Sequence, residues 1–192
     1  MTNIKRLMAA TVALAAITAT SACDGSKPAP TSTTSPTTTT PVATPPSTTT
    51  SLSRDQQRVT DAEATVRKFW ATQDRLGQNP GVPISELLKV ARGTAYDTWS
   101  KQLQVSRVQQ HKQIGDTSLL QVTGVVVDAK ERPTVKVMVC YDVSQVNVVD
   151  KDGKSIISPQ RTSRAKSIYT VEHYQDGWFV TDDETKGEAC GG

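Results

Sequence analysis

The sequence has 192 residues, 36% of them hydrophobic, and a formal net charge of +3 at pH 7. Two of its 22 basic residues, Lys5 and Arg6, lie among the first 22, so removal of that segment leaves 20 basic and 19 acidic residues. Such a balanced charge provides neither the basic footprint of a nucleic-acid-binding protein nor a polybasic patch for anionic lipid.

The first 22 residues have the three-part pattern of a secretory signal peptide. Residues 2–6 (TNIKR) are basic, residues 7–19 (LMAATVALAAITA) are apolar, and small residues then lead to Cys23. The apolar run has 13 residues, whereas a membrane-spanning helix needs roughly 20. Residues 1–22 are therefore predicted to be an export signal and not a permanent membrane span.

Residues 20–23 (TSAC) resemble the lipobox of bacterial lipoproteins, in which the cysteine thiol receives diacylglycerol and the preceding peptide bond is cut. The resemblance implies that Cys23 is the lipidated first residue of the mature chain. Its acyl chains would anchor the protein at the extracytoplasmic face of the cell membrane. Thr20 departs from the Leu that the family prefers. The alternative is ordinary cleavage near Ala22, which leaves Cys23 as a free thiol.

Residues 23–51 are predicted to comprise the lipidated Cys23 and a disordered linker rich in Thr, Ser and Pro. Of the 24 residues in Pro28–Ser51, 11 are Thr, 4 are Ser and 6 are Pro, a composition that cannot bury enough apolar surface to fold. Its extended reach is on the order of 75 Å, and such tracts are candidates for O-glycosylation. The alternative is low-complexity filler without a selected length.

The chain has three cysteines. In an exported protein, an odd number means that one cysteine has no disulfide partner within the chain and needs another role. If Cys23 carries lipid, Cys140 and Cys190 remain to form a disulfide in an oxidising compartment. The alternative is that Cys140 and Cys190 are reduced, buried thiols.

Residues 52–192 are predicted to form a single domain, and its first half has helical periodicity. Ser53 and Gln56 match a capping box at the start of the first helix, and Gly77 with Pro80 is expected to end it. A short helix is expected over residues 84–91, and a second capping box, Thr94 with Asp97, is expected to open a third. The predicted apolar positions of the first helix are Val59, Ala62, Val66, Phe69, Trp70 and Leu76, and those of the third are Tyr96, Trp99 and Leu103.

The second half has the pattern of strands. Residues 134–144 (TVKVMVCYDVS) alternate strictly, which places Cys140 on the less apolar face, where a C-terminal segment carrying Cys190 is expected to cross the sheet. Asp152–Gly153 and Asp176–Gly177 are predicted hairpin turns. Helices followed by strands predict an α+β domain of about three N-terminal helices packed on an antiparallel sheet of four to six strands.

That order of elements resembles the nuclear transport factor 2-like family, also called SnoaL-like or cystatin-like. The segments KFW, VCYDVS, VDKDGKSI and YTVEHYQDGWFVTDD, with a Cys near the end, resemble those of small actinobacterial lipoproteins over residues 54–190. The resemblance implies a cone-like domain in which a curved sheet wraps the first helix. It implies little about the ligand, because this fold hosts many unrelated functions.

No catalytic or metal-binding motif is present in the sequence, and no cofactor is predicted. It contains no Gly-rich phosphate loop, nucleophile elbow or HExxH motif. The two histidines, His111 and His173, lie in different segments. The consecutive acids Asp182, Asp183 and Glu184 are interpreted as a solvated tail.

Enzymes with the resembled fold use a His/Asp or Tyr/Asp pair inside the cone, which defines a candidate pocket. By strand alternation Tyr169 and His173 share one face. We therefore state the hypothesis that His173, Tyr96 and Asp74 form a polar cluster beside the tryptophan rings. The candidate pocket residues are Trp70, Asp74, Tyr96, Trp99, Tyr169 and His173. The alternative, which the sequence favours, is that the aromatics form the core and His173 lies at the rim.

The favoured function is a non-enzymatic, lipid-anchored binding lipoprotein of the cell envelope. Its expected partners are the membrane, through the acyl chains on Cys23, and an envelope protein, a glycan or a small apolar ligand. One alternative is an enzyme with an acid/base pair inside the cone. A further alternative is a surface exclusion lipoprotein encoded by a prophage.

Overall fold

A computed structural model describes residues 52–190. Within them, the helices are α1 (Arg54–Gln78), a 3₁₀ helix (Ile84–Lys89) and α2 (Gly93–Val108). The strands that follow are β1 (Lys112–Ile114), β2 (Ser118–Asp128), β3 (Thr134–Asp142), β4 (Asn147–Val149), β5 (Arg164–Tyr174) and β6 (Gly177–Thr185). The predictions for the signal peptide, Cys23 and the linker lie outside the described residues.

Helix α1 begins with the predicted capping box. The Gln56 N–H donates to Ser53 Oγ at 3.2 Å, and the Ser53 N–H donates to Gln56 Oε1 at 2.8 Å. The helix continues to Gln78, where the Asn79 N–H donates to the Arg75 carbonyl. Its apolar face packs on the sheet, and burial of each large side chain stabilises the fold by roughly 1.5–3 kcal/mol.

The second capping box was predicted wrongly. Helix α2 begins at Gly93, with Arg92 at its N-cap and no side-chain hydrogen bond there. The chain is fixed by β6 instead, since the Arg92 N–H donates to the Val180 carbonyl and the Val180 N–H donates to the Val90 carbonyl. Ala91 forms a β-bridge to Val180. Because this contact with β6 fixes the chain at Ala91, the preceding 3₁₀ helix ends at Lys89 and does not reach the predicted end at Ala91.

The main sheet is antiparallel, with the strand order β2-β3-β5-β6. It confirms the α+β prediction of three helices packed on an antiparallel sheet. Val135, Val137 and Val139 of β3 are fully buried against α1. The hairpin β5–β6 was predicted correctly, since Tyr174 pairs with Gly177.

The other predicted hairpin differs from expectation. The chain turns at residues 151–153, where Gly153 has a φ of 77°, but the returning segment only bridges Ser155 to Val149. Strand β4 pairs instead with β1 in a separate two-stranded sheet. This pairing joins segments that are distant in sequence, which local turn chemistry does not predict.

Cys140 and Cys190 are joined by a disulfide. Residues 186–188 first run alongside β5, where the Lys186 N–H donates to the Lys166 carbonyl and the Lys166 N–H donates to the Glu188 carbonyl. The chain then crosses β5, because Cys190 is bonded to Cys140 on β3, the strand on the other side of β5. The segment therefore crosses the sheet on the less apolar face, as the alternation in β3 predicts.

Candidate functional site

A cavity of about 400 Å³ lies between the C-terminal half of α1, helix α2 and the end of β3. Ligand pockets in proteins commonly measure about 300–1,000 Å³. Its lining combines aromatic, aliphatic and polar side chains: Trp70, Trp99, Tyr141, Leu103, Val143, Val146, Val148, Gln73, Asp74, Gln102, Ser106, Gln113, Thr117, Arg161 and Thr162.

Three aromatic rings form one wall of the cavity. Trp70 of α1 lies 4.9 Å from Tyr141 of β3 and 6.4 Å from Trp99 of α2, measured between ring centroids. Trp70 is only 8% exposed, so it belongs both to the core and to the cavity wall. Such edge-to-face and tilted pairs add to the stabilisation from area burial, which keeps the wall in place.

Asp74 connects α1 to the segment around β1. Its carboxylate accepts hydrogen bonds from Gln113 Nε2 at 2.6 Å, from Thr117 Oγ1 at 3.0 Å and from the Thr117 N–H at 2.9 Å. The side chain is 7% exposed. Three donors already occupy its oxygens, so this carboxylate holds the cavity wall together and is poorly placed to act as a free base.

Gln73 is the unusual polar residue of the cavity. It lies on α1 beside Asp74 and is 6% exposed. Among residues 52–190, no acceptor lies within hydrogen-bonding distance of its Nε2. A buried donor without a partner costs roughly 1–3 kcal/mol, and it needs an explanation in a folded protein. The Nε2 atom itself is closed off from solvent, so a molecule in the cavity reaches it only after a movement of the Gln73 side chain.

The indole N–H groups of Trp70 and Trp99 are also buried, and within the described part of the chain neither has a hydrogen-bond partner of ordinary geometry. They lie near the Tyr169 hydroxyl and the Asp183 carboxyl, and each lowers the pKa of its neighbour slightly. Burial has the larger effect and raises the pKa of both Tyr169 and Asp183. Burial therefore makes ionisation of Tyr169 and Asp183 less favourable than in the free side chains.

The structure brings together only part of the predicted pocket. Trp70, Asp74 and Trp99 line the cavity. Tyr169 is 1% exposed and lies behind Trp70, with ring centroids 6.3 Å apart. Tyr96 packs against the core without lining the cavity.

His173 does not join this group. It is exposed near the β5–β6 hairpin, pairs with Trp178 across the strands, and its ring lies 5.0 Å from the Trp178 ring. Strand β5 extends beyond the core at this end, where the His173 N–H donates to the Pro133 carbonyl. The hypothesis of a polar cluster of His173, Tyr96 and Asp74 is therefore not supported by the geometry.

The acidic run at residues 182–184 is not a tail. It lies in β6, where Asp183 is partly buried opposite Tyr169. Residue order alone gave no sign of this, because the bulge after Thr170 changes the pairing of β6. Gln73 was also missed, although a detectable signal existed: it follows Phe69 and Trp70 at helical spacing and so falls on the apolar stripe of α1.

Comparisons with known proteins identify a fold and no family. No family model matches the chain, and no curated protein matches it. The chain is similar to the solved intermembrane space region of the chloroplast protein ARC6, with 16% identity and a TM-score of 0.51 over 68% of this chain and 97% of that one. It also matches a de novo designed β-sheet protein solved by NMR, with 16% identity and a TM-score of 0.30 over 70% of this chain and 92% of that one. At these identities the first match indicates a shared fold only, and the second carries no argument.

Two further observations concern the described residues alone. No helix within residues 52–190 has both the length and the apolar character needed to cross a membrane. The same residues contain no group of three or more His, Cys, Asp and Glu side chains arranged to hold a metal ion.

Proposed function

We propose that the protein is a lipid-anchored, extracytoplasmic binding lipoprotein that holds a small molecule in the cavity between α1, α2 and β3. The observation that carries the binding role is the cavity of about 400 Å³, whose lining combines the rings of Trp70, Trp99 and Tyr141 with a small number of polar side chains. An apolar pocket with a few placed polar groups is the usual form of a small-molecule site.

The anchor follows from the sequence pattern around Cys23. A basic start, a short apolar run and the TSAC segment resemble a lipoprotein signal. The Thr/Ser/Pro-rich residues 28–51 would then separate the folded domain from the membrane. The resemblance to actinobacterial lipoproteins with a nuclear transport factor 2-like domain belongs to this proposal, and so does the location at the cell envelope.

An enzymatic role is the second candidate, and the cavity geometry disfavours it. The Asp74 carboxylate is engaged by three donors, and His173 is exposed near the β5–β6 hairpin. General acid–base catalysis requires a titratable group within hydrogen-bonding reach of the substrate. The binding role therefore explains the arrangement of polar groups with fewer additional assumptions.

The anchor is tested by replacing the cysteine. Cys23→Ala is expected to move the protein from the membrane fraction to the soluble fraction, with Ser26→Ala as a control that stays in the membrane. Intact mass spectrometry of the extracted wild type should show the mass of the acyl groups on a chain that begins at Cys23. Unchanged fractionation of Cys23→Ala would refute the anchor.

The binding role is tested by filling the cavity. Native mass spectrometry of the gently extracted wild type is expected to show a non-covalently retained small molecule. Ser106→Phe places a ring in the cavity from α2 and should abolish retention. Gln104→Phe, on the same helix but outside the cavity lining, should not. Equal retention by both variants would contradict a site in this cavity.

A further inference from the structure

The cavity between α1, α2 and β3 is lined by neutral polar side chains as well as by aromatic rings. We propose that it binds an uncharged sugar, whose hydroxyl groups pair with these polar side chains and whose C–H groups pack on the rings. This inference rests on the proposed function, because it names the ligand class of the same cavity.

Four polar side chains of the lining are available to a ligand. Within residues 52–190, the hydroxyls of Tyr141, Ser106 and Thr162 form no hydrogen bond with another part of the protein, and neither does the side-chain amide of Gln102. Gln102 and Thr162 are exposed, whereas Tyr141 and Ser106 are half-buried. Hydroxyl and amide groups both donate and accept hydrogen bonds, so a ligand that also does both is complementary to this set.

The same side chains disfavour a purely apolar ligand. Hydrocarbon placed against Tyr141 and Ser106 would displace water from their hydroxyls and offer no hydrogen bond in return, which is unfavourable. A sugar replaces this water with its own hydroxyl groups. The polar part of the lining therefore selects a ligand that carries several hydroxyls.

The charged residues of the lining favour a neutral ligand. In the described part of the chain, Asp74 and Arg161 are the two charged residues that line the cavity, and their formal charges cancel. The Asp74 carboxylate accepts three hydrogen bonds from the chain, and Arg161 Nη2 donates to two backbone carbonyls, at 2.8 Å each. An ion would therefore lose part of its hydration on entry, with no net charge in the lining to compensate. A neutral sugar avoids this cost.

The aromatic rings provide a surface for the C–H groups of the sugar. Trp99 and Tyr141 are partly exposed, and Trp70 contacts both of them, with ring centroids 6.4 Å and 4.9 Å away. The face of an aromatic ring carries partial negative charge, which attracts the C–H hydrogens of a sugar because the neighbouring oxygens make them slightly positive. The rings and the hydrogen-bonding side chains thus match the two kinds of surface that a sugar presents.

A panel of small probes tests the ligand class. Its neutral sugars are glucose, galactose, mannose, xylose and N-acetylglucosamine, and glucuronate and glucosamine are the charged sugars. Toluene is the apolar probe. Binding to the full chain in lipid nanodiscs is measured by calorimetry at neutral pH, and empty nanodiscs provide the correction for partitioning into lipid. At least one neutral sugar is expected to bind more tightly than either charged sugar.

The source of the sugar is distinguished by its anomeric position. Each neutral sugar is measured both free and as its methyl glycoside, which represents a sugar at the end of a glycan. Binding of the glycoside at least as tight as that of the free sugar assigns the cavity to a glycan end. Tighter binding of the free sugar assigns it to a soluble sugar, and both results support the ligand class.

The decisive comparison uses Tyr141→Phe, which removes a hydroxyl from the cavity and keeps the ring. It is expected to weaken binding of the tightest neutral sugar by roughly 3- to 10-fold, the effect of one net hydrogen bond, and to leave toluene binding unchanged or tighter. Tyr96→Phe is the matched control and should change neither, because Tyr96 packs against the core without lining the cavity. Ser106→Ala provides a second comparison if Tyr141→Phe does not fold, with Ser100→Ala on the same helix as its control.

The outcomes separate this inference from the proposed function. If toluene binds and no neutral sugar does, or if a charged sugar binds more tightly than every neutral one, the ligand class is wrong while the cavity remains a binding site. Sugar binding that is unchanged in both Tyr141→Phe and Ser106→Ala also overturns the inference, because the sugar then does not use these hydroxyls. If no probe binds, both the ligand class and the cavity as a small-molecule site are overturned. Membrane fractionation of Cys23→Ala tests the anchor independently of these results.

Discussion

Tyr169 and Asp183 lie directly opposite each other on the paired strands β5 and β6. Tyr169 is fully buried and Asp183 partly so. Burial raises the pKa of both groups, and the negative charge of Asp183 raises the pKa of Tyr169 further. The Trp99 indole provides some compensation, since it lowers the pKa of Asp183.

Asp183→Asn is expected to stabilise the protein at neutral pH. A carboxyl with a raised folded-state pKa adds stability below its ordinary pKa, and this stability is lost as the pH rises through the folded-state value. Asn removes that ionisation and keeps an acceptor for Trp99. Replacing a partly exposed charge changes the free energy of unfolding by less than about 1 kcal/mol, so the Tm should rise on the order of 1–3 °C at pH 7. The rise should be smaller near pH 4.

Thermal unfolding followed by circular dichroism at both pH values checks this prediction. Asp182→Asn is the matched control, because that neighbour is exposed and its replacement should leave the Tm nearly unchanged. A lower Tm for Asp183→Asn at pH 7 would show that the carboxylate charge is needed in the fold.

The regular elements of this domain could be predicted because their signals are local. The capping box of Ser53 and Gln56 and the apolar spacing of α1 depend on residues within a few positions of each other. The alternation in β3 placed Cys140 on the correct face. Such periodicities depend only on the geometry of the helix and the strand.

The site was harder to predict because it depends on where elements end and how distant segments meet. Alternation placed Tyr169 and His173 on one face, but it does not indicate that the core ends before His173. The link from Asp74 to Gln113 spans 39 positions, and no local pattern encodes it. Asp183 became partly buried through a bulge in the strand pairing, which the sequence pattern also does not reveal.

The disulfide between Cys140 and Cys190 is expected to stabilise the domain substantially. It joins residues 50 positions apart, and the chain-entropy model assigns about 4 kcal/mol to a loop of this length. The double variant Cys140→Ala/Cys190→Ala should therefore lower the Tm by on the order of 10 °C.

Reduction of the wild type provides an independent measurement of the same quantity. Full reduction of this disulfide should lower its Tm to a similar extent, while the double variant should be insensitive to reductant. Equal Tm values for the oxidised wild type and the double variant would mean that the cross-link does not constrain the unfolded chain.

Asp142 and Arg164 provide a second, pH-dependent contribution to stability. Arg164 Nε donates to Asp142 Oδ2 at 2.7 Å across the paired strands β3 and β5, and the Ser144 N–H donates to Asp142 Oδ1 at 2.7 Å. The bond from Arg164, followed by those from Ser144, lowers the pKa of Asp142 to about 2. A carboxyl with a lowered folded-state pKa adds stability above its ordinary pKa, and this is lost as the pH falls through the folded-state value.

Asp142→Asn should accordingly destabilise the protein at pH 7, and its Tm difference from the wild type should shrink as the pH falls from the ordinary value of 3.8 towards about 2. Asp97→Asn, on the exposed surface of α2, controls for the loss of a negative charge and should show little difference at either end. Thermal unfolding of the three proteins across this range measures the effect. A Tm difference that stays constant with pH would mean that Asp142 contributes through its shape and neutral hydrogen bonds, and not through its charge.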